Sequence, residues 1–447
     1  MTGSNHQLLA QENDVFATCA RIKYFDVVLD HGKGAVLTDV EGNHYLDLLA
    51  SASATNTGHA HPTVVKAIQD QAAKLTQYTP AYFANSTTAK LAKRLAAIAP
   101  MSGPVEVAWG NSGSDANDAI IKFARAYTGR QYIVSFTGAY HGSTYGSLTL
   151  SGVSLNMTRK LGPLLPGVVK VPFPSPWEQE ADESDEHFVN RYFKAFKEPF
   201  ETYLPADEVA VIVIEAIQGD GGIAMMPPAF MQKIYDFAKE HGILFAVDEV
   251  NQGMGRTGKW WSIQNFPGIE PDMISTAKSL ASGLPLSAVI GRKAIMESLG
   301  APANVYTTAG NPVTSAAALA TIDVIEKEHL LARSQKLGAK AKAYFEAAKE
   351  KYPFIGGVRM YGLDGGIDIV NPVTGAPDEE ATTKLIYRVF ELGAIIISLR
   401  GNILRFQPPL VITEEQLDQV FKIFDQAFAE LAAGKLALPA AAKEMGW

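Results

Sequence analysis

The sequence predicts an α/β protein whose large domain contains a mostly parallel central sheet flanked by helices, together with a smaller α+β domain at the C-terminus. Apolar runs in the middle of the chain each lead into a turn of small residues, and helical patterns lie between several of them. Alternating strands and helices are typical of a parallel sheet with helices on its faces. Ligands of such sheets bind outside the carboxyl ends of the strands, where these turns lie.

The central sheet is predicted from short apolar runs, which suit strands buried on both faces. The predicted strands are Val105–Trp109, Gln131–Phe136, Val209–Ile214, Ile243–Val247, Met273–Thr276 and Ser287–Ile290. Helical patterns between them include Asp115–Tyr127 and Ala229–His241. The acidic stretch Glu178–Glu186 is predicted to be a solvated loop.

The C-terminal third changes character, with long helical patterns at Asn311–Glu326 and Leu330–Lys351. Three further segments are predicted to form a smaller sheet: Gly365–Val370, Ala394–Ile397 and Ile403–Phe406. The last helix presents apolar side chains on one face, and Thr413 with Gln416 forms a capping box at its start. We therefore expect an N-terminal segment, residues 1–55, that packs with the small domain, a large domain at 56–320 and the small domain at 321–447.

Composition narrows the class of function. The 447 residues include 39 Lys+Arg and 47 Asp+Glu, for a formal net charge of −8. This acidic balance argues against nucleic acid or an anionic membrane as the main partner. The single cysteine, Cys19, excludes an internal disulfide or a thiolate metal cluster. With no secretory signal and no apolar stretch long enough to span a bilayer, we expect a cytoplasmic protein.

Three polar features stand at predicted strand ends. Asp248 ends a buried strand, where a carboxylate needs a cationic or hydrogen-bonding partner; the plain alternative is a salt bridge. Lys278 lies among small residues and is either a surface lysine or a desolvated nucleophile. The turn before Asp115–Tyr127 could cradle a phosphate through the amides of Gly113 and Ser114, or it could be an ordinary turn capped by Ser114 or Asp115.

A lysine, an acid and a phosphate cradle together describe a pyridoxal phosphate (PLP) site. In these motifs the sequence resembles the class III aminotransferases, a family of PLP fold type I. The resemblance covers about residues 20–435. The motifs that carry it are NTGHAHP (56–62), GNSGSDAND (110–118), YHG (140–142), EAIQGDGG (215–222), DEVNQGMGRTG (248–258), TAKSLASGLPLSAVIG (276–291), TTAGNP (307–312) and ILRFQPPL (403–410).

The resemblance implies a role for each cofactor-binding residue. Lys278 would form the Schiff base with PLP, and Asp248 would pair with the pyridine nitrogen. Gly113 and Ser114 would hold the phosphate, and Tyr140 would stack on the ring. The other implied residues are Thr307, which would reach the phosphate in the neighbouring subunit, Asn251, which stands where the family usually has glutamine, and Glu215, which would support the site from behind. The site therefore implies a homodimer or homotetramer.

Asp220 is the informative residue for the reaction, because it stands in QGDGG where many family aminotransferases have QGEGG. In those enzymes the glutamate resembles a gate that pairs with an arginine, and this arginine binds the substrate carboxylate. Arg405 matches that arginine in this sequence. Asp220 could remain a shortened gate, or it could face the substrate carbon as a second acid/base opposite Lys278. A further departure is Ala216, where the family usually has proline; it loosens the backbone near Asp220.

Over nearly its whole length the sequence resembles members of this family that epimerise or racemise amino acids. We therefore expect a PLP-dependent 2-epimerase or racemase of aliphatic, branched-chain amino acids such as isoleucine, with Lys278 and Asp220 as its two bases. The small Ala52, with Tyr82 and Phe83, would form an apolar pocket for the substrate side chain. The alternatives are a 4-aminobutyrate-type aminotransferase and a PLP-binding module without activity.

Two other patterns are interpreted as structural. His59 and His61 resemble a metal pair, but no acidic or thiol ligand stands near them in the sequence, so we expect no metal. The glycines of NQGMGRTG lack the spacing of a dinucleotide-binding βαβ unit.

Overall fold

The computed structural model describes residues 4–439, and these residues form two compact units. The large unit comprises residues 63–255 and 259–326. The small unit combines three stretches, 4–62, 256–258 and 327–439. The domain boundaries expected at 55 and 320 stay a prediction.

The core of the large unit is a seven-stranded sheet. Six strands are parallel, and Ser287–Arg292 runs antiparallel to both of its neighbours. In spatial order the strands are Val105–Gly110, Ser287–Arg292, Met273–Thr276, Leu244–Asp248, Val209–Ile214, Tyr132–Phe136 and Val168–Val171. The predicted mostly parallel central sheet is confirmed. A separate hairpin pairs Ile217–Gln218 with Ala224–Met225.

Helices surround this sheet, and the helix Gly113–Thr128 buries an apolar face that includes Ile120 and Phe123 in the core. The acidic stretch predicted as a loop in fact leads into a helix, which begins at Asp185 with Ser184 as its cap. The remaining helices of this part of the chain are Pro62–Ala72, Ser86–Ala97, Tyr145–Leu150, Asp185–Thr202, Pro228–Glu240, Lys293–Met296 and Pro312–Lys327.

The small unit contains two four-stranded sheets. In spatial order, the first has Leu29–Lys33, Val36–Asp39, His44–Asp47 and Ala394–Ile395, and the second has Ile355–Met360, Gly365–Ile369, Ile403–Phe406 and Ile397–Leu399. The prediction of one strand at Ala394–Ile397 is wrong. Residues 394–395 pair with His44–Asp47, whereas 397–399 pair with Ile403–Phe406, so the chain changes sheets at Ile396.

The helices of the small unit are Asn5–Asn13, Leu330–Lys351, Glu379–Glu391 and Glu414–Ala432, and a single turn lies at Ala50–Ser53. The predicted capping box of the last helix is confirmed: Thr413 Oγ1 accepts from Gln416 N, and the Gln416 side chain accepts from Thr413 N. Among the helices of residues 4–439, none combines the length and apolar character needed to cross a membrane.

Candidate active site

Asp248 is the last residue of a central strand, and its side chain is buried, with the residue 3% exposed. One carboxylate oxygen accepts from Asn117 Nδ2 at 2.7 Å and lies 2.8 Å from His141 Nδ1. The other accepts from Val250 N at 2.9 Å and from Ser275 Oγ at 3.2 Å. These contacts offset the cost of burying a carboxylate. The basic side chain in contact with Asp248 is therefore a buried histidine from a different segment of the chain.

Sequence reasoning missed Asn117 and His141 as supports of Asp248. Asn117 also donates to the carbonyl of His141 at 2.7 Å, so it fixes both the acid and its histidine. The signal was present for Asn117, since it falls on the buried apolar face of its helix, where an amide is expected to have a specific partner. His141 directly follows Tyr140, and its ring is buried.

The predicted phosphate cradle is the N-terminus of the helix Gly113–Thr128. Its cap is Ser112, whose Oγ accepts from Asp115 N at 3.2 Å while Asp115 accepts from Ser112 N. The alternative that Ser114 or Asp115 caps this helix is therefore wrong. Ser114 instead accepts from Ser143 N at 3.0 Å. The free amides of a first helical turn bind anions.

Gly142 packs against the first turn of this helix, at a position where only glycine fits. Its φ is +136°, and a Cβ there would lie 2.4 Å from Ser114 Oγ and 2.5 Å from Ser147 Oγ. The Cβ would also lie 2.8 Å from Ser114 Cα, and backbone cannot turn away as a hydroxyl can, so Gly142 is required for Ser114 to occupy its observed position.

Glu215 holds two parts of the site at once. Its buried carboxylate accepts from Tyr140 N at 2.9 Å and from Gly219 N at 2.8 Å. Burial raises the pKa of Glu215 from 4.5 to about 7; His141 opposes the rise and Asp248 adds to it. One carboxyl group therefore positions both the proposed ring-stacking residue and the residue before Asp220.

Asp220 lies in the turn of the hairpin that pairs Ile217–Gln218 with Ala224–Met225, and it is 8% exposed. Burial raises the pKa of Tyr140, and its hydrogen bond with Ser143 opposes this rise. The negative charges of Asp220 and Asp248 raise the pKa further. Asn251 packs behind the turn, because a Cβ on Gly219 would lie 3.1 Å from its Cγ. The predicted contact of Asn251 with the cofactor stays a prediction.

Lys278 lies two residues beyond the end of the central strand Met273–Thr276, is half-buried and begins a short 3₁₀ turn. Its φ is +44°, in the left-handed region that costs a non-glycine residue energy and is typical of functional sites. The buried hydroxyls of Thr276 and Ser279 have no hydrogen-bonding partner among residues 4–439.

Thr307 is exposed, and its carbonyl accepts from Gln77 Nε2 at 2.8 Å. Tyr82 and Phe83 are 76% and 58% exposed. The structure thus places these three predicted residues at the surface of the large unit.

In the small unit, Arg405 lies on the strand Ile403–Phe406 and is buried. Its Nε donates to Gln407 Oε1 at 2.6 Å, and Gln407 in turn donates to Asp364. A side-chain amide therefore orients the guanidinium through its Nε.

Ala52 belongs to one turn of left-handed helix. Residues 50–53 have φ of 48°, 51°, 56° and 67°, and Ala54 N donates to Ala50 O at 2.7 Å. Left-handed helix costs an L-residue roughly 1–2 kcal/mol, so four such residues store about 4–8 kcal/mol. The surrounding structure must hold this turn, since the local sequence does not favour it.

The two histidines that resembled a metal pair have separate carboxylate partners. His59 Nε2 lies 2.7 Å from Asp47 Oδ2, and His61 Nε2 lies 2.9 Å from Glu328 Oε1. Within the part of the chain that the structure describes, no group of three or more His, Cys, Asp or Glu could hold a metal ion.

The family model "Aminotransferase class-III" matches residues 19–428, so the chain belongs to the class III aminotransferase family. Within it, the chain is 59% identical to isoleucine 2-epimerase of Lentilactobacillus buchneri over 99% of this chain and 98% of that protein. It is 40% identical to leucine/methionine racemase of Thermococcus litoralis over 99% of each.

A similar solved structure is that of an amine transaminase from an uncultivated Pseudomonas species in its PLP-bound form. Its TM-score is 0.84 at 27% identity, and the match covers 93% of this chain and 97% of that one. The family and the fold of such neighbours confirm the predicted PLP fold type I.

The residues of the large unit fit PLP. The helix that begins at Gly113, against whose first turn Gly142 packs without a side chain, presents an N-terminus that suits a phosphate. Asp248, held by donors on both oxygens, suits a protonated ring nitrogen. The hydroxyls of Thr276 and Ser279, which find no partner in the described part of the chain, lie beside Lys278, where a polar group would satisfy them.

Proposed function

We propose that this protein is a PLP-dependent 2-epimerase or racemase that inverts the α-carbon of aliphatic, branched-chain amino acids such as isoleucine. The observation that carries the proposal is the buried carboxylate of Asp220 in its clamped hairpin turn, within a class III aminotransferase. The names of two relatives, an isoleucine 2-epimerase and a leucine/methionine racemase, support it.

When bound, PLP supplies an electron sink that acidifies the α-proton of an amino acid. Asp248 would keep a proton on the ring nitrogen, with Asn117 and His141 holding the carboxylate in place. The amides of Gly113 and Ser114 would bind the phosphate, and Tyr140 would cover the ring. These residues bind and orient, and they leave proton transfer at the α-carbon to other groups.

Inversion requires that a proton leaves one face of the α-carbon and returns to the other. We assign Lys278 Nζ to one face and the Asp220 carboxylate to the other, as a two-base pair. The link from Glu215 to Gly219 would fix the turn that carries Asp220 during this transfer. Aminotransfer, by contrast, needs only Lys278.

Substrate recognition would use the small unit. Arg405, oriented by Gln407, would bind the substrate carboxylate. Ala52 would leave space for an aliphatic side chain, with Tyr82 and Phe83 adding apolar surface.

The second candidate is an aminotransferase of 4-aminobutyrate type, favoured by the family's name and by the shared lysine, acid and cradle. In that case Asp220 would act as a shortened gate to Arg405. The two candidates differ in whether an amino acceptor is needed.

The deciding experiment incubates L-isoleucine alone with the holoenzyme in deuterated water and follows the products by chiral chromatography and mass spectrometry. An epimerase forms the C2 epimer with deuterium at the α-carbon and leaves the methyl-bearing carbon unchanged. Asp220→Asn keeps the size of the side chain and removes the base, so it should abolish inversion while α-deuteration by Lys278 on one face persists. A matched Asp220→Glu variant restores the acid that family aminotransferases carry. A wild type that requires a 2-oxo acid would establish the aminotransferase instead.

We also propose that the enzyme is a cytoplasmic homodimer or homotetramer in which Thr307 completes the neighbouring subunit's phosphate site. Sedimentation of the holoenzyme gives the subunit number. Thr307→Ala should weaken retention of PLP without changing that number.

A further inference from the structure

Arg256 is a fully buried guanidinium in the small unit, and it belongs to none of the roles assigned above. It donates to four neutral oxygens. Nε reaches Ser53 Oγ at 3.1 Å, and Nη2 donates to Asn56 Oδ1. Nη1 donates to the carbonyls of Leu363 at 2.9 Å and of Pro408 at 2.6 Å. The charges of Asp364 and Asp47 act on the guanidinium through space and oppose the lowering of its pKa by burial. Its four hydrogen bonds to neutral oxygens fix where the planar group lies.

The four acceptors lie on separate segments of the chain. Ser53 ends the left-handed turn that carries Ala52, and Asn56 follows it. Pro408 lies three residues beyond Arg405 on the same extended stretch, and Leu363 precedes Asp364, to which Gln407 donates. The planar guanidinium therefore joins the segment of Ala52 to the segment of Arg405.

The backbone that carries the Arg256 side chain is itself held by hydrogen bonds. Its carbonyl accepts from Ser334 Oγ at 2.8 Å, and the same hydroxyl accepts from Leu363 N at 3.0 Å. Two backbone bonds, from Gln407 N to Leu48 O and from Leu410 N to Asn56 O, join the same two segments at their ends. Arg256 supplies the side-chain links between those bonds.

The left-handed turn needs such support at both ends. At its start, Asp47 Oδ1 accepts from Leu49 N at 2.8 Å and from Ala50 N at 2.9 Å. At its finish, the Ser53 hydroxyl donates to Asn56 Oδ1 at 3.3 Å and accepts from Arg256. Since four L-residues do not hold this conformation by preference, the position of Ala52 depends on these two anchors.

We propose that Arg256 is a positioning residue that sets substrate specificity by fixing Ala52 and Arg405 relative to each other. This inference rests on the proposed function, which gives Ala52 the substrate side chain and Arg405 the substrate carboxylate. Loosening Arg256 widens the spacing between these two contacts, so it weakens binding of the branched substrate. Proton transfer by Lys278 and Asp220 continues once substrate is bound, so KM rises more than kcat falls.

The test compares Arg256→Lys with Ser53→Ala. Lysine keeps the charge but concentrates its donors on one atom, so it cannot span four separated oxygens. A displacement of about 1 Å costs up to roughly 100-fold in kcat/KM, and we expect a loss of roughly 10- to 100-fold for Arg256→Lys, mostly in KM. Ser53→Ala removes one of the four acceptors, together with the Ser53 donor to Asn56, and should give a smaller rise in KM. The rise in the double variant should be less than the combined effect of the two single variants, because Ser53 and Arg256 share one hydrogen bond.

Arg333→Lys is the matched control. Arg333 also donates to a carbonyl in the small unit, that of Ile412, through Nε at 3.2 Å. It holds neither the left-handed turn nor the Pro408 carbonyl, so Arg333→Lys should lower Tm while leaving KM unchanged.

Binding of 3-methylpentanoate gives a readout that does not require turnover, since this acid has the carboxylate and branched chain of isoleucine without the amino group. Its Kd should rise in Arg256→Lys alongside the KM, while the visible absorbance of the cofactor stays as in the wild type. A lower Tm with unchanged KM and Kd would overturn the proposal. If the wild type fails to invert isoleucine, the proposed function fails. In that case the role of Arg256 is still decided by the Kd for 3-methylpentanoate and by the KM for an amino donor in transamination.

Discussion

Glu215→Gln is expected to remove a pH dependence from the stability of this protein. The Glu215 carboxyl has a pKa raised from 4.5 to about 7 by burial. Between these two pH values the folded protein holds a proton that the unfolded chain has released. The unfolded state therefore binds fewer protons, and the free energy of unfolding falls as pH rises through this window.

The size of the effect follows from the two pKa values. The interval from 4.5 to about 7, at about 1.4 kcal/mol for each pH unit, gives about 3 kcal/mol of stability that wild type loses between pH 4.5 and 8. Glutamine does not titrate, so Glu215→Gln should lose about 3 kcal/mol less than wild type across this range. The comparison of slopes is independent of any constant cost of the substitution.

The variant should also change catalysis, because Glu215 accepts from both Tyr140 N and Gly219 N. The glutamine amide nitrogen must face one of these donors, so one contact is lost and turnover falls. Wild-type turnover should likewise decline as pH falls below about 7, when the protonated carboxyl turns its hydroxyl toward a donor.

Glu249→Gln is the control for this prediction. Burial raises the pKa of Glu249 from 4.5 to about 7 as well, but its carboxylate accepts from Ser262 N and Ile263 N. It should alter the pH dependence of unfolding to the same extent while the pH profile of turnover follows wild type. The assay is urea unfolding at saturating PLP from pH 4.5 to 8, with turnover measured over the same range. The reasoning would be refuted if the free energy of unfolding changed with pH by the same amount in wild type and in Glu215→Gln.

Three further predictions concern the cofactor. Lys278→Ala should bind PLP without a covalent bond and lose turnover; borohydride reduction and peptide mapping of wild type should label Lys278, and a label on another lysine would contradict the assignment. Asp248→Ala removes an electrostatic partner worth about 3–4 kcal/mol, so turnover should fall roughly 100-fold or more, whereas a loss of only a few-fold would mean that another group holds the ring nitrogen. Gly142→Ala places a Cβ 2.4 Å from Ser114 Oγ, so PLP should dissociate faster on dialysis, and retention equal to wild type would exclude Ser114 from the cradle.

Much of the large unit could be predicted from sequence, because its signals are local. An apolar run such as Val209–Ile214 is a buried strand wherever it lies in the sheet, and the observed strand has the same bounds. The turns after these runs fall at carboxyl strand ends by topology alone. Asp248 and Lys278 were therefore recognisable as candidates from the sequence pattern, whereas Asp220 was recognisable only through the resemblance to the family's QGEGG motif.

The partners of these residues could not be predicted, since they lie far away along the chain. Asp248 is 131 residues from Asn117 and 107 from His141, yet both contact its carboxylate. The same holds for sheet membership: Ala394–Ile395 and Ile397–Leu399 look like one apolar run but pair with different strands. Local propensity indicates that a segment is extended, but it does not indicate which strand the segment pairs with.

The sequence alone determined the kind of chemistry, because a lysine, an acid and a small-residue turn at the ends of predicted strands together describe a PLP site. Only the tertiary structure decided how those groups are held. Residues 50–53 have no glycine, so local preference opposes their left-handed conformation, which is anchored by Asp47 and by Arg256 from 203 residues away. Strain of this kind persists only where distant contacts outweigh it, and those contacts exist only in the folded chain.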